Sequence, residues 1–448
     1  MKTTRRAFIA TTAAAVPGCC WPSSKPVPVK RVVDKTGASA TAELLATASP
    51  KDLLTGLAAQ LKGGMTTDTL ARELARFALK HTYVEAASPS GMVSHAFLSV
   101  IPALRISRLL PEARRAIPLL VVARTLAEEA ARSPYGPVPF TLDPLPNPTA
   151  GPDPLPLLKQ AIDDDAIHAA EQHLSRLLSE GKVTDCAALI GIASTREFGH
   201  VGHGAIFAAH ALAMLELGVG ADAIRAPLRY ITSFRTPDET LTASSASAPS
   251  DRELVDRAAQ LVMRMEGVAG FPHELHALTG VDGVVEISRF LDKAGRDGDE
   301  TRRRASAWLD FVEAGTTELG SPTLAEAPPA AVPLSPKPAD AIQLLWELDD
   351  PRVLFGAIRT YIDRDHPIAP LQEYLVESAC AASRYTLGHS IKVADATLGQ
   401  DAHRGSWSSR WATIGVNAWA ACALSVPDPL YGEVAAVLDL SPHPAVEI

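Results

Sequence analysis

No segment of this chain alternates apolar and polar residues with a period of two over any useful length, which removes the ordinary signature of a half-buried sheet. What recurs instead is apolar spacing at three and four residues, in stretches dominated by Ala and Leu. Residues 67–79 (Thr-Asp-Thr-Leu-Ala-Arg-Glu-Leu-Ala-Arg-Phe-Ala-Leu) are typical. Aromatic residues are only 5% of the 448, and the residues filling the periodic stretches are strong helix formers. The expectation is an all-α protein, either a multi-helix bundle or a helical repeat array. At this length the chain can bury a large core and hold two or three domains.

Breaks in the periodicity divide the chain. Residues 1–30 read as an export signal and 31–50 as a mobile leader. A first helical unit covers 51–132. Residues 133–156 form an extended connector carrying nine prolines, and a second, enlarged unit covers 157–320. Residues 321–339 are a Pro/Ala linker, and a third unit covers 340–448. Within the second unit, Asp163, Asp164 and Asp165 are expected to cap a helix running to 178. Further helices are expected at 184–195, at 223–234 with Pro227 in its first turn, and at 252–265, 284–294 and 302–314.

Residues 196–210 (Arg-Glu-Phe-Gly-His-Val-Gly-His-Gly-Ala-Ile-Phe-Ala-Ala-His) concentrate chemistry. On a helix, His200, His203 and His210 would share an arc of about 80°. His200 and His203, one turn apart, have the spacing to hold one metal ion. His210 lies about 10 Å further along the axis and would serve a second site or a cavity wall. The motif has an internal echo. Ser94-His95, Gly202-His203 and Gly388-His389 each set a small residue before a histidine that opens an apolar helix. Nine residues on stand Leu104, Leu212 and Leu398. Three related helical units follow from this, and they would bring His95 and His389 to His200 and His203. His276, in His273-Glu274-Leu275-His276, is a further ligand candidate with Asp282 nearby. Its spacing is three rather than the four of a zinc-protease helix, and a plain helix start would also explain it.

The first residues suggest an address. Thr4-Arg5-Arg6-Ala7-Phe8-Ile9 resembles a twin-arginine export signal, with an apolar run to Val16 behind it. Val16-Pro17-Gly18-Cys19 resembles a lipobox, atypical in its proline, through which lipid on Cys19 would be the one membrane attachment. Export points to the periplasm or cell envelope. Cys19 and Cys20 fall in the signal; Cys186, Cys380 and Cys422 are isolated in apolar contexts and read as buried thiols. A net charge of −9 without a basic block argues against nucleic acid as a partner. There is no Gly-x-Ser-x-Gly elbow, phosphate loop or dinucleotide fingerprint, so no nucleotide cofactor is expected.

Two stretches carry a family resemblance: the helix at 161–181 ending in Leu-Leu-Ser-Glu-Gly, and 198–231 with its Gly199-His200-Val201-Gly202-His203. Together they resemble a His-containing helical domain found beside Rieske modules. They also resemble the questin oxidase-like group, whose members carry Gly-His-x-x-His helices. The chain lacks the Cys-x-His and Cys-x-x-His pair, so no Rieske cluster can be built. The questin oxidase-like resemblance implies oxidation of an aromatic substrate and assigns no catalytic residues.

From the residues themselves, the expected site is a pocket lined by His95, His200, His203, His276 and His389. It would hold Fe, Zn or Cu, with Arg196 and Glu197 as catalytic residues that orient the imidazoles. The substrate would be an apolar or aromatic small molecule. Lys392 and Asp395 would pair with each other or supply an acid–base group. Trp407, Trp411 and Trp419 would be core or cavity wall. The rival is a non-catalytic helical scaffold of the cell envelope whose histidines hydrogen-bond across a packed core. A metal-storage role is a third reading, and convergence of the histidines separates the first from the second.

Overall fold

The computed structural model describes residues 39–81, 95–131, 145–148, 150–196, 202–233, 247–265, 273–318, 335–337, 340–342, 344, 351–382, 388–399 and 429–441. Among them the regular structure is α-helix, short 3-10 turns and one π turn at Asp395–Gly399, with no strand. The protein is all-α. No helix among the described residues is long and apolar enough to cross a membrane. The expected signal at 1–30, Cys19, Cys422 and the three tryptophans Trp407, Trp411 and Trp419 lie outside the described residues.

Local chemistry sets the helix ends. Ser49 accepts a hydrogen bond from the Asp52 amide and Pro50 occupies the first turn of Pro50–Lys62, where its missing N–H is no loss. Thr67–His81 is capped by Thr66, whose Oγ1 accepts from the Thr69 amide at 3.1 Å. The Asp163–Asp165 run does not cap the helix that follows it. Asp163 ends a helix beginning inside the proline-rich stretch, Pro154–Asp163, and Asp165 takes a left-handed conformation (φ 55). Ile167–Ser179 then starts with no side-chain cap. Aspartate tolerates both roles, and here it makes the turn between two packed helices.

Among the described residues the apolar side chains gather into two cores. One joins residues from Ala40–Thr47 through Ile117–Ala131 with Pro351–Asp363, Ile368–Ala382 and Pro429–Val437. The other joins Pro154–Asp163, Ile167–Ser179, Val183–Ser194, Asp251–Met265, His273–Lys293 and Asp299–Glu318. The helix His203–Glu216 belongs to both. Its Ile206, Phe207 and Met214 face the first core, and its Ala205, Ala208, Ala209 and Leu212 face the second. A helix apolar on every side has to be central, and this one is buried from His203 through Leu212. The segment from His389 is divided likewise, with Ile391, Ala394 and Leu398 in one core and Val393 and Ala396 in the other. The seam between the cores is where the histidines meet.

Candidate metal centre

Four helices deliver one histidine each from their first turn. His95, His203 and His389 are the first residues of His95–Ser107, His203–Glu216 and His389–Ala394, and His276 is in the opening turn of His273–Lys293. Two of these starts share one backbone solution: Gly202 (φ 80, ψ 8) and Gly388 (φ 81, ψ 4) are both left-handed, a conformation open to glycine at no steric cost. The echo between 202–203 and 388–389 is therefore also an echo in conformation.

Glycine brings the helices close. A methyl group on Gly283 would lie 2.9 Å from backbone atoms of Ala205 and Ile206, and one on Gly280 would meet the Trp308 ring at 2.8 Å and Gly202 Cα at 3.4 Å. His276, Gly280 and Gly283 lie at helical spacing on one face, so the His276 helix is in backbone contact with the start of the His203 helix. On the other side, Ser99 Oγ donates to the His95 carbonyl at 2.6 Å and reaches the Gly388 carbonyl at 3.3 Å. Edge-to-face contact of Phe97 with Phe207, centroids 5.0 Å apart, braces the His95 and His203 helices. The Glu129 carboxylate caps the His95 helix by accepting from the Ala96 amide at 3.2 Å.

The result is a tetrad of His95, His203, His276 and His389, one ligating nitrogen from each lying within 4.8 Å of all the others. These residues are 6, 7, 1 and 3% exposed, in that order. Ring centroids are separated by 4.5 Å for His95–His389, 4.6 Å for His203–His276, 5.0 Å for His276–His389 and 5.5 Å for His95–His203. His276 Nε2 and His203 Nε2 are 2.9 Å apart, a hydrogen bond that requires one ring to donate and the other to accept. A tetrahedral ion with nitrogens at its usual distance needs them about 3.3 Å apart. The His203–His276 pair would open by a few tenths of an ångström, the wider pairs would close, and the shared Nε2 proton would move to an Nδ1. Each ring sits at the positive end of a helix, which favours a neutral imidazole, the form that ligates. The cluster holds neither thiolate nor carboxylate, a donor set that suits Zn, Cu or Fe and not Mg or Ca.

Of the expected site residues, the structure brings together His95, His203, His276 and His389. His200 and Glu197 lie outside the described residues, as do the side chains of His81 and His273. Arg196 is engaged elsewhere: its guanidinium donates to Asp163 at 2.6 Å, and with Lys159 it outweighs the upward push of burial to hold the Asp163 carboxyl below its ordinary range. His210 stays outside the tetrad, two turns further along the His203 helix, and serves a backbone group there. Pro102 interrupts His95–Ser107 and has no N–H for the carbonyl four residues back, that of Leu98; His210 hydrogen-bonds to the Leu98 backbone. Burial, with Arg105 and Lys392 adding to it, holds His210 neutral far below its ordinary range. Sequence reading missed Glu129, Arg105 and Glu286. A charged residue within an otherwise buried helix was the available signal for Arg105.

No family model, curated protein or solved structure matches the chain. The geometry of the tetrad carries the functional reading.

Proposed function

We propose that the tetrad binds a redox-capable transition metal, Fe or Cu, and that the protein is a metal-dependent oxidoreductase acting on an apolar or aromatic small molecule. The observation behind this is the convergence of four buried imidazoles from three distant parts of the chain. Histidines that merely satisfied each other across a core would need pairs, not four mutually close nitrogens. When bound, the ion supplies one-electron chemistry; the protein supplies neutral ligands and a water-poor seam between apolar cores. A reactant reaching that seam sheds its hydration, which favours an apolar or aromatic molecule over a charged one. The Gly-His-x-x-His likeness to the questin oxidase-like group agrees with that substrate class.

A second reading is a structural zinc clamp, favoured by the near-complete burial of all four rings, since closed four-ligand sites are the structural ones. Oxygen consumption separates the two. Protein loaded with Fe(II) or Cu(I) is assayed with a panel of phenols, quinols and anthraquinones. Uptake that needs both metal and substrate, and is absent from the His203→Ala/His389→Ala variant, is the expected result. No uptake, in a metal-loaded protein whose Tm falls on chelation, would replace the enzyme with the clamp.

A further inference from the structure

Both polar groups of the peptide that joins His95 to Ala96 are held by side chains. The Ala96 amide donates to Glu129 Oε1 at 3.2 Å, and the His95 carbonyl accepts from Ser99 Oγ at 2.6 Å. Amides in a first helical turn have no partner within the helix. One of them is ordinarily met by a small polar residue just before it. Here the acceptor comes from 33 residues away, on Ile117–Ala131. Glu129 is buried, and burying a carboxyl costs far more than burying the serine or asparagine that caps many helices.

The tetrad histidines are not held alike. His203 and His276 hydrogen-bond each other through Nε2 at 2.9 Å, and their helices are in backbone contact at Gly283. The widest of the four ring separations, 5.5 Å, is the one between His95 and His203. His95 is also the first residue of its helix, where helices fray. Its side chain keeps a set direction only while the peptide after it is held. Ser99 extends the hold to His389. Its Oγ lies 3.3 Å from the Gly388 carbonyl, and a methyl on Gly388 would collide with it. The His95 and His389 rings, centroids 4.5 Å apart, therefore ride on backbones joined through one serine.

We propose that Glu129 is the positioning residue of the metal centre: by holding the His95–Ala96 peptide it keeps His95 in place as the fourth ligand. Without that hydrogen bond, His203, His276 and His389 hold the ion and water takes the fourth position. The inference rests on the metal reading of the tetrad and adds to it a residue that acts through a ligand.

Co(II) binding to the full chain tests this, because tetrahedral Co(II) absorbs strongly in the visible and five- or six-coordinate Co(II) weakly. Glu129→Ala is expected to bind Co(II) about 10–100-fold more weakly, with visible absorption falling to that of His95→Ala. Glu129→Gln keeps an oxygen acceptor for the Ala96 amide and should restore both affinity and spectrum. In a His95→Ala background, loss of Glu129 should cost no further affinity. Wild-type affinity in Glu129→Ala overturns the proposal, as does weaker binding with an unchanged spectrum. A further loss in the His95→Ala background, or a Glu129→Gln variant as impaired as Glu129→Ala, also overturns it. If Glu129→Ala does not fold, Glu129→Asp, one methylene shorter, is judged by the same criteria. A wild type that binds no Co(II) overturns the metal reading and this proposal with it, whereas the other adverse results leave the tetrad intact.

Discussion

Two glycines in helices make opposite demands. At Gly283 an added methyl meets the Ala205 and Ile206 backbone at 2.9 Å; at Gly432 nothing lies within 4 Å. Alanine in a helix gains about 0.5–1 kcal/mol over glycine, but forcing a methyl against backbone costs about 1–3 kcal/mol. Gly432→Ala should therefore raise Tm. Gly283→Ala should lower it, and should also weaken metal binding by separating His276 from His203. Thermal melts of the two variants check this, and equal tolerance would remove the close-approach argument. The histidines that form the tetrad were legible at this scale because each opens an apolar helix after a small residue or a turn. Glu129 was not, because a carboxylate that caps a helix from 33 residues away leaves no local pattern.

Among the elements, Ile167–Ser179 and Arg225–Ser233 are joined by one buried ion cluster. Glu171 accepts from Arg225 Nε at 2.7 Å and from both nitrogens of Arg229 that face it. Burial pushes the Glu171 carboxyl up, and the two arginines outweigh it and hold it below its ordinary range. A depressed carboxyl stabilises the fold above its unfolded pKa of about 4.3, and that contribution is lost as pH falls through the lower folded value. Glu171→Gln leaves Arg225 buried without its charge partner and should lose about 3–5 kcal/mol at neutral pH. It should also lose part of the acid sensitivity of the wild type, as denaturant titrations at pH 7 and in the acid limb would show. A variant as stable as wild type would make the cluster incidental. Element type was well read from period and composition, whereas some boundaries were not. The helix expected at 284–294 begins at His273, because Gly280 and Gly283 look like breakers locally and act as packing surfaces in the fold.

For the whole molecule, the informative fact is where the tetrad sits. His95, His203 with His276, and His389 come from the first, middle and last of the expected units, and they meet where two apolar cores share the His203 helix. That the chain is helical could be read locally, and the repeated small residue–histidine helix starts already pointed to His95, His203, His276 and His389 meeting; that they meet at a seam between two cores could not, because it depends on long-range packing that period and propensity do not encode. An ion held there would tie together parts of the chain some 290 residues apart. Metal analysis of protein purified without chelator or affinity histidines decides whether the tetrad is a metal centre. About one transition-metal ion per chain is expected, lost in the His203→Ala/His389→Ala variant while its helical circular dichroism is retained. A wild type that carries no metal and takes up neither Fe, Cu nor Zn when supplied would contradict it, and the four histidines would then be a packed feature of the seam.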